Sequence, residues 1–182
     1  MQDGVRFTQN EAELRASYQM RYSVYVEGMD RLKDQGDHQL KELKDDYDKI
    51  ARAVIAIKDN KPIGTLRLFW GGDASPPKTL VNAYRLTRFL DFMEEEKICI
   101  VERLMVTEKH RGSTTTLRMY KEVMHFVLAQ QVEVVLLDCE PHHLNSYLKL
   151  GFRPFADSYS YPGIGLVIPM VLVVGDYEHL KR

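Results

Sequence analysis

Apolar residues recur along the chain at two spacings, and these spacings predict its secondary structure. Between Glu11 and Met29 they fall every three or four positions with charged residues between them, which predicts an amphipathic helix. The segments Ala53–Lys58 and Pro62–Trp70 are strand-like and are joined by the turn signal Asp59-Asn60-Lys61. The first third of the chain therefore predicts a helix followed by a β-hairpin.

The rest of the chain alternates between strand-like and helix-like patterns. After a Gly/Pro-rich loop at 71–78, a helix is predicted from Asn82, as its N-cap, to Met93. The remaining predicted elements are a strand at Lys97–Val106, a helix at Thr114–Gln131, a strand at Val132–Cys139, a short helix at His142–Leu150 before Gly151, and a strand at Leu166–Val174. This alternation predicts an α/β fold built on a mixed sheet.

One segment has few apolar residues. Residues 30–48 are strongly charged and predict a long loop that is partly helical at most. Long ordered loops in compact domains are usually functional or mobile. Its acidic residues are Asp30, Asp34, Asp37, Glu42, Asp45, Asp46 and Asp48.

Composition narrows the function classes. With 182 residues, of which 45% are hydrophobic, one domain over residues 1–182 is expected. The 25 basic and 26 acidic residues give a net charge of -1, so neither nucleic acid nor an anionic membrane is indicated as the main partner. No apolar run approaches the ~18 residues of a membrane span, and the first residues lack a signal-peptide pattern, which predicts a cytoplasmic location.

The two cysteines, Cys99 and Cys139, lie in apolar strand-like runs. Because free cysteine packs as a small hydrophobe, we expect two buried, reduced thiols. No Cys/His grouping has the spacing of a zinc site, so no metal is expected.

A strand, an Arg-Gly-hydroxyl turn and a helix follow one another from Ile100. The strand ends near Val106, and Arg111-Gly112-Ser113-Thr114-Thr115-Thr116 leads into the helix. The free amides and the positive dipole end of a helix N-terminus can hold a phosphate. The alternative is an ordinary strand-turn-helix connection with a surface arginine.

The second predicted strand and a tyrosine complete a longer pattern. Tyr147 lies four residues before Gly151-Phe152. In this order the segment resembles the acyl-donor half of the GNAT superfamily of N-acyltransferases. The resemblance implies a GNAT fold, with a mixed, splayed central sheet flanked by helices, and no permanently bound cofactor. The co-substrate would be an acyl-phosphopantetheine thioester, carried by coenzyme A or by an acyl carrier protein.

The donor loop departs from the usual GNAT loop at two positions. Thr114 and Thr116 stand where glycines normally let the backbone approach the pyrophosphate of coenzyme A. The arm of an acyl carrier protein has only one phosphodiester, so the departure favours a carrier protein as donor and partner. An acidic carrier would need a basic patch, which Lys109, His110, Arg111 and Arg118 would supply.

Motifs in the first half of the chain sharpen the resemblance. They are Arg21-Tyr22-Ser23-Val24-Tyr25, the acidic loop ending Asp45-Asp46-Tyr47-Asp48, Gly64-Thr65-Leu66-Arg67-Leu68, and Glu102-Arg103. Their order resembles two GNAT branches, the autoinducer (N-acyl-homoserine-lactone) synthases and the long-chain N-acyl amino acid synthases. Autoinducer synthases have Glu-x-Ser-Arg on the strand before the loop. Here Arg103 fits the Arg, but Glu102 falls on the Ser and Ile100 on the Glu.

The resemblance implies transfer of a long-chain fatty acyl group to the amine of an amino acid or similar small acceptor. An ammonium group must lose a proton before it attacks, and Glu102 is the first candidate for the base. Tyr147 would protonate the leaving thiolate, although a tyrosine on a short helix also serves for packing. Glu102 and Arg103 cannot both face one cleft unless a bulge intervenes. Alternatively, Glu102 would serve as the base while Arg103 ties down the acidic loop from the other face, or the two would form a structural ion pair.

Two groups of binding residues follow from the same resemblance. The pantetheine arm is assigned to Met105, Val106, Arg111, Gly112, Ser113, Thr114, Thr115 and Thr116, and the acceptor to Arg21, Asp45, Asp48 and Arg67. A guanidinium matches an acceptor carboxylate, but Arg21 and Arg67 could equally pair with the aspartates and hold the acidic loop. The acyl tail would need an apolar slot, for which the candidates are Met105, Met119, Met124 and Phe126, unless these are core residues.

Two other functions fit the same residues. One is an acetyl-CoA-dependent acetyltransferase, for which tight coenzyme A binding and a shallow pocket are expected. The other is a non-catalytic module that binds acyl thioesters without turnover, which the missing glycines and the displaced glutamate would suit.

Overall fold

The predicted β-hairpin is present in the computed structural model, which describes residues 1–176. Strands β4 (Ala51–Lys58) and β5 (Lys61–Trp70) pair antiparallel. Asp59 and Asn60 connect them with φ angles of 53° and 61°, a left-handed pair that suits a two-residue turn. Strand β1 (Gly4–Phe7), which the apolar pattern does not reveal, pairs with the other edge of β4.

The chain divides into two compact units, each made of two separate stretches. Unit 1 comprises residues 1–69 and 102–126, and unit 2 comprises residues 70–101 and the chain from 127 onward. The prediction of one domain over residues 1–182 remains a prediction, and its last six residues lie outside the described part of the chain.

The first helix of unit 1, α1 (Glu11–Arg21), begins after Asn10, whose side-chain oxygen accepts a hydrogen bond from the Glu13 amide at 3.0 Å. The predicted helix continues beyond α1, but Tyr22–Gly28 is π-helical rather than α-helical. Segments of π-helix are rare and are frequently found at functional sites. Ala16 of α1 forms a buried cluster with β4, together with Ile55 and Ile57.

The acidic loop has more structure than the charge pattern predicts. Two short strands, β2 (Gly36–Asp37) and β3 (Glu42–Leu43), pair antiparallel within it. Leu43 is buried, and the equally buried Glu42 binds Arg15 of α1 at 2.8 Å. The loop is therefore anchored on α1.

The other face of the unit 1 sheet is covered by the first part of helix α4 (Thr115–Ala129). Neighbouring residues of a strand point to opposite faces, so Val54 faces away from Ile55 and α1. Phe7, which lies opposite Val54 in the sheet, packs against Phe126 of α4 with ring centroids 5.3 Å apart. The acidic loop and α4 therefore lie on different faces of this sheet.

Unit 2 contains a parallel strand pair. The first residues of β6 (Ile98–Val106) pair parallel with β7 (Val134–Cys139), and β7 pairs antiparallel with β10 (Gly165–Val173). Two short strands, β8 (Arg153–Pro154) and β9 (Tyr159–Tyr161), pair with β10.

The strand order of the whole sheet is β1-β4-β5-β6-β7-β10-β8, with β9 paired to β10. The sheet is mixed and mostly antiparallel and has eight strands flanked by helices, which confirms the predicted fold class. The predicted strands at 53–58, 62–70, 97–106, 132–139 and 166–174 all agree with observed strands to within two residues.

The prediction of a helix from Asn82 to Met93 is wrong. Two shorter helices, α2 (Lys78–Ala83) and α3 (Thr87–Leu90), occupy this region. The first begins after Pro77, whose extended backbone (φ −64°, ψ 153°) precedes it, so Asn82 lies in its last turn. The break falls at Arg85, which has a φ of 50°. A left-handed residue cannot continue a right-handed helix.

Unit 2 also contains helix α5 (Leu144–Lys149), as predicted from the pattern at 142–150. Cys99 and Cys139 are buried free thiols, which confirms their prediction. Burial, followed by the nearby Glu140 and Asp138, raises the pKa of Cys139 to about 11.

Among residues 1–176, no helix is long and apolar enough to cross a membrane. Short 3-10 turns occupy Lys33–Gln35, Asp46–Lys49, Glu95–Lys97, Glu108–His110 and Pro141–His143.

Candidate active site

Arg67 of β5 is the centre of a charged network in unit 1. Its side chain is only 3% exposed and contacts three carboxylates. Nε and Nη2 donate to Glu102 Oε2 at 3.0 and 2.7 Å, and Nη1 donates to Asp45 Oδ1 at 2.5 Å. The same Nη1 lies 3.2 Å from Asp48 Oδ2. Each nitrogen of this guanidinium therefore already contacts a carboxylate.

The two loop carboxylates, those of Asp45 and Asp48, also accept hydrogen bonds from backbone amides of their own loop. Asp45 Oδ1 accepts a hydrogen bond from the Tyr47 amide at 3.0 Å. Asp48 Oδ2 accepts one from the Asp45 amide at 2.9 Å. These bonds close the 3-10 turn at 46–49, as short acidic side chains commonly do at turn starts. Asp46 lies between them but points to solvent, where it pairs with Lys49 at 2.7 Å.

Glu102 and Arg103 are consecutive in β6, yet both side chains join this network. Arg103 has a φ of 51°, in the left-handed region that a strand residue rarely adopts. This φ angle interrupts the regular alternation of the strand, so the side chains of Glu102 and Arg103 can both reach one site. Arg103 Nη2 donates to Asp45 Oδ2 at 3.0 Å, so Arg103 does tie down the acidic loop.

Arg21, at the end of α1, is the third arginine of the network and is completely buried. Its Nη1 donates to Asp48 Oδ1 at 2.6 Å. Its Nε and Nη2 are buried without a hydrogen-bond partner. Burial lowers the pKa of Arg21, against the opposing effect of Asp48. Buried N–H groups without partners are rare in proteins and call for an explanation.

The network thus brings together six residues predicted for the site. Three arginines face three carboxylates, so the charges balance. They are Arg21, Asp45, Asp48, Arg67, Glu102 and Arg103.

The pKa shifts in the network reflect this pairing. Burial alone would lower the pKa of Arg67, but the charges of Glu102, Asp48 and Asp45 outweigh burial and raise it. Burial alone would raise the pKa of Asp45, but Arg67 and Arg103 outweigh it, so the pKa of this carboxyl is lower than usual. At 28% exposure, Asp45 is the most accessible carboxylate of the network.

Each arginine of the network also faces a tyrosine ring, which the sequence analysis did not predict. Tyr18 lies 5.3 Å from Arg21, Tyr47 lies 5.6 Å from Arg67, and Tyr25 lies 5.8 Å from Arg103. Such cation–π contacts hold a guanidinium plane in place. A local signal exists for Tyr18 and Tyr25, because they lie three residues before and four residues after Arg21 and share its helix face.

The predicted donor loop joins β6 to α4, also within unit 1. Met105 is buried and Val106 half-buried at the end of the strand, whereas Arg111, Gly112, Ser113 and Thr114 are exposed. Gly112 has a φ of 75°, which a glycine adopts at little cost. The loop therefore presents an exposed arginine and backbone ahead of a helix N-terminus.

Hydroxyl groups bind one another where α4 begins. The Ser113 and Thr115 hydroxyls are 2.8 Å apart, and the Thr115 amide donates to Ser113 Oγ at 3.3 Å. Thr115 is buried, whereas Thr116 is half-buried and Thr114 exposed. The helix begins at Thr115, one residue later than predicted.

Tyr147 lies in unit 2, on α5, and has a structural role that explains its spacing from Gly151. The Phe152 amide donates to the Tyr147 carbonyl at 3.1 Å, and the Gly151 amide donates to the Leu148 carbonyl at 3.1 Å. With φ of 95° at Gly151, these bonds form a Schellman motif. The rings of Tyr147 and Phe152 pack edge to face at 5.8 Å. Its proposed role as an acid remains a prediction.

The four residues predicted for an acyl slot belong to the side of unit 1 that carries α4. Met105 and Met119 are buried, while Met124 and Phe126 are half-buried. Phe126 packs against Phe7, and the Arg52 guanidinium lies 5.0 Å from its ring. These contacts are those of core residues, and the slot remains a prediction. In the described part of the chain, no group of His, Cys, Asp and Glu is arranged to hold a metal ion.

A sequence model of the family described as N-acyl amino acid synthase FeeM matches residues 16–176. The match covers most of the chain. The chain belongs to the FeeM family of N-acyl amino acid synthases. Like other members of this family it is an enzyme, an N-acyltransferase. The GNAT resemblance proposed from the motifs is thereby confirmed. A comparison with curated protein sequences gives no match.

Solved structures agree with the fold of a FeeM-family enzyme. BjaI, described as a CoA-dependent acyl-homoserine lactone synthase with SAM and isopentyl-CoA, is 16% identical with a TM-score of 0.76, covering 98% of this chain and 87% of its own. FeeM, an N-acyl amino acid synthase from uncultured soil microbes, is 13% identical with a TM-score of 0.72, covering 96% and 92%. ElaA from Escherichia coli is 18% identical with a TM-score of 0.63, covering 93% and 99%. At these identities the likeness shows the GNAT fold alone.

Proposed function

We propose that this N-acyltransferase moves a long-chain fatty acyl group from an acyl carrier protein to the amine of an amino acid or similar small acceptor. The observation that carries the proposal is the network of Arg67 with Glu102 and the loop aspartates, in a chain of the FeeM family. It puts a balanced set of charges, suited to a zwitterionic acceptor, on strands beside the donor loop. We place the reaction in the cytoplasm, which suits two buried free thiols.

On the acceptor side, Asp45 is the group best suited to meet the acceptor's ammonium. It is the most exposed carboxylate of the network, and its low pKa keeps it charged at neutral pH. Its two oxygens are held by Arg67 and Arg103, so its position is fixed before an acceptor arrives. Fixed charges bind a substrate without the cost of ordering them at that moment.

The acceptor's carboxylate needs a cation that is not fully engaged. Arg67 already contacts carboxylates through all three nitrogens, so its main role is to hold the loop. Arg21 keeps Nε and Nη2 without partners, and a guanidinium edge of this kind matches a carboxylate bidentately. Because Arg21 is fully buried, such binding requires the elements around it to open.

Proton removal from the acceptor is assigned to Glu102 or to a water that it orders. Glu102 lies on the strand that leads directly into the donor loop, and its Oε2 is fixed by Arg67. A carboxylate held in this way can accept a proton without first changing its position. Attack of the free amine on the thioester would follow.

On the donor side, the loop from Val106 to Thr116 would hold the pantetheine arm and polarise the thioester through a backbone amide. Its threonines Thr114 and Thr116 replace the usual glycines, which suits one phosphodiester better than a pyrophosphate. Tyr147 would then protonate the leaving thiolate. Coenzyme A, which BjaI uses according to its description, is the alternative donor.

The carrier protein would dock beside this loop. Lys109, Arg111 and Arg118 are exposed there, and so is the apolar side chain of Leu117, at 57%. His110 is partly engaged, since its Nδ1 lies 2.8 Å from the Thr107 hydroxyl. A basic rim around an exposed leucine suits an acidic helix with apolar residues on the face that docks.

The purified protein tests the proposal with two donors. It is incubated with dodecanoyl acyl carrier protein or dodecanoyl-CoA and an equimolar mixture of the common amino acids, and products are separated by mass spectrometry. The proposal expects N-dodecanoyl amino acids, formed faster from the carrier protein. Faster product formation from dodecanoyl-CoA, or donor binding without product, would contradict it.

A further inference from the structure

The donor loop is seated on two adjacent residues of β5, Ile63 and Gly64. The pairing of β4 with β5 shifts here, because Ala56 lies opposite Gly64 while Ile57 lies opposite Pro62. Ile63 is therefore the extra residue of a β-bulge, and its carbonyl is released from the ladder. That carbonyl accepts a hydrogen bond from the Thr107 amide at 2.9 Å. Thr107 is the first residue after β6, so the bulge fixes the start of the loop.

At the other end of the loop, Gly64 leaves the space in which the start of α4 packs against the sheet. A Cβ atom on Gly64 would lie 3.1 Å from Met119 Cε and 3.2 Å from both Met119 Sδ and Thr115 Cγ2. Thr115 and Met119 belong to the first turns of α4, and both are buried. A Cβ atom at position 64 would therefore require the Met119 and Thr115 side chains at the start of α4 to shift by a few tenths of an ångström.

The glycine is not required by the backbone. The φ angle of Gly64 is not positive, so an alanine could adopt its backbone conformation without strain. Its partner across the strand pair, Ala56, is also small and fully buried. Together they form a shallow depression in the sheet under α4. The absence of a side chain at Gly64 therefore leaves space for α4, the helix that follows the donor loop.

We infer that Gly64 is a positioning residue for the acyl donor, acting through Thr115 and Met119 on the loop that binds the pantetheine arm. The inference rests on the proposed function of that loop. The charged network lies on the opposite face of the same sheet, since Arg67 contacts the acidic loop and Gly64 contacts α4. A change at Gly64 should therefore affect the donor and spare the acceptor side.

The test compares donor binding in four proteins. The probe is the dodecyl thioether of 4′-phosphopantetheine, which cannot react, and its Kd is measured by calorimetry. The proteins are the wild type, Gly64→Ala, the double variant Gly64→Ala/Thr115→Ser, and Gly36→Ala. Thr115→Ser removes the methyl group at 3.2 Å and keeps the hydroxyl that binds Ser113.

Gly36→Ala is the matched control. A Cβ there would lie 3.1 Å from the Tyr22 ring, as tight a contact as that at Gly64, but in the acidic loop. We expect Gly64→Ala to raise the Kd of the probe about five-fold or more, because a binding site must be held within about 0.5 Å of its productive geometry. The double variant should recover part of the lost affinity, because Thr115→Ser removes one of the close contacts and leaves those with Met119. Gly36→Ala should bind the probe as the wild type does.

Three results would overturn the inference: wild-type affinity in Gly64→Ala, no recovery in the double variant, or equal weakening in Gly36→Ala. Absence of probe binding in the wild type would also overturn it. Product formation is measured separately in the same preparations. If the wild type binds the probe, Gly64→Ala weakens binding and no N-acyl product forms, the role of Gly64 in positioning the donor loop is supported. The proposed reaction is then contradicted.

Discussion

Glu102 and Arg103 are neighbours in one strand, yet both side chains enter the same charged network, because Arg103 has a φ of 51°. In a regular strand they would point to opposite faces of the sheet. A non-glycine residue in this region costs about 1–2 kcal/mol and persists only where its surroundings hold it. Here the Asp45 carboxylate and the Tyr25 ring hold the Arg103 side chain.

Removing the central arginine should destabilise the protein strongly. In Arg67→Met, three carboxylates lose their shared partner, and breaking a buried ion pair of this kind costs about 3–5 kcal/mol. Urea unfolding would measure the free energy of unfolding. Arg111→Met is the matched control, because Arg111 is exposed, and it should change stability by less than about 0.5 kcal/mol. Equal effects of the two substitutions would contradict the central position of Arg67.

The low pKa of Asp45 predicts a specific acid sensitivity. Because this carboxyl has a lower pKa in the folded protein than in the unfolded chain, it stabilises the fold above the unfolded value of about 3.9. That contribution disappears as the pH falls through the folded value. In Asp45→Asn, the loss of unfolding free energy between about pH 5 and pH 2 should therefore be smaller than in the wild type.

Urea unfolding at a series of pH values measures this difference. Asp46→Asn is the control, because the Asp46 carboxylate is 93% exposed and pairs only with an exposed lysine. It should follow the wild-type pH dependence. An Asp45→Asn curve parallel to that of the wild type would show that the network does not stabilise the charged form of Asp45.

The elements that the sequence predicts well are those with a local cause. Asp59 and Asn60 tolerate left-handed backbone, so the hairpin turn follows from the residues themselves. Gly151 likewise marks the end of α5. The site residues were found by the order of their motifs rather than by geometry. Nothing local marks Arg103 as left-handed, since that angle depends on the loop carboxylate it reaches.

Other features depend on contacts distant in sequence. The π-helical turn at 22–28 has the same apolar spacing as an α-helix, so the pattern could not separate the two. Strand β1 has only four residues, too few for its alternation of Val5, Arg6 and Phe7 to identify it, and it forms because β4 offers it an edge. The early start of α2 after Pro77 was missed because Asn82 is the stronger local N-cap signal.

Two substitutions of Tyr147 should distinguish its packing role from its chemical role. Tyr147→Phe keeps the ring that packs on Phe152 and removes the hydroxyl, so the packing contact should persist while kcat falls about ten-fold or more. Tyr147→Ala removes the ring contact and should also cost about 1 kcal/mol of stability. Steady-state kinetics and thermal unfolding measure the two effects. Unchanged kcat in Tyr147→Phe would leave this residue with packing alone.

Charge reversal beside the donor loop should weaken the acyl carrier protein as a substrate. In Arg111→Glu/Arg118→Glu, an acidic carrier meets like charge, so its KM should rise about ten-fold at low salt. Lys121→Glu, an exposed residue of the same helix, is the control and should have a much smaller effect. The KM of a pantetheine-only thioester should change less than that of the carrier. An equal rise for both donors would point to the arm rather than the carrier.

Mass spectrometry of lipid extracts tests the central claim most directly. Bacterial cells expressing the wild type are compared with cells expressing Glu102→Gln, which keeps an oxygen for Arg67 and removes the charge. The account predicts new N-acyl amino acids or acyl-lactones in the wild type, with much less in the variant. No new N-acyl lipid from folded wild-type protein would contradict the account, and equal amounts from the variant would contradict the role of Glu102.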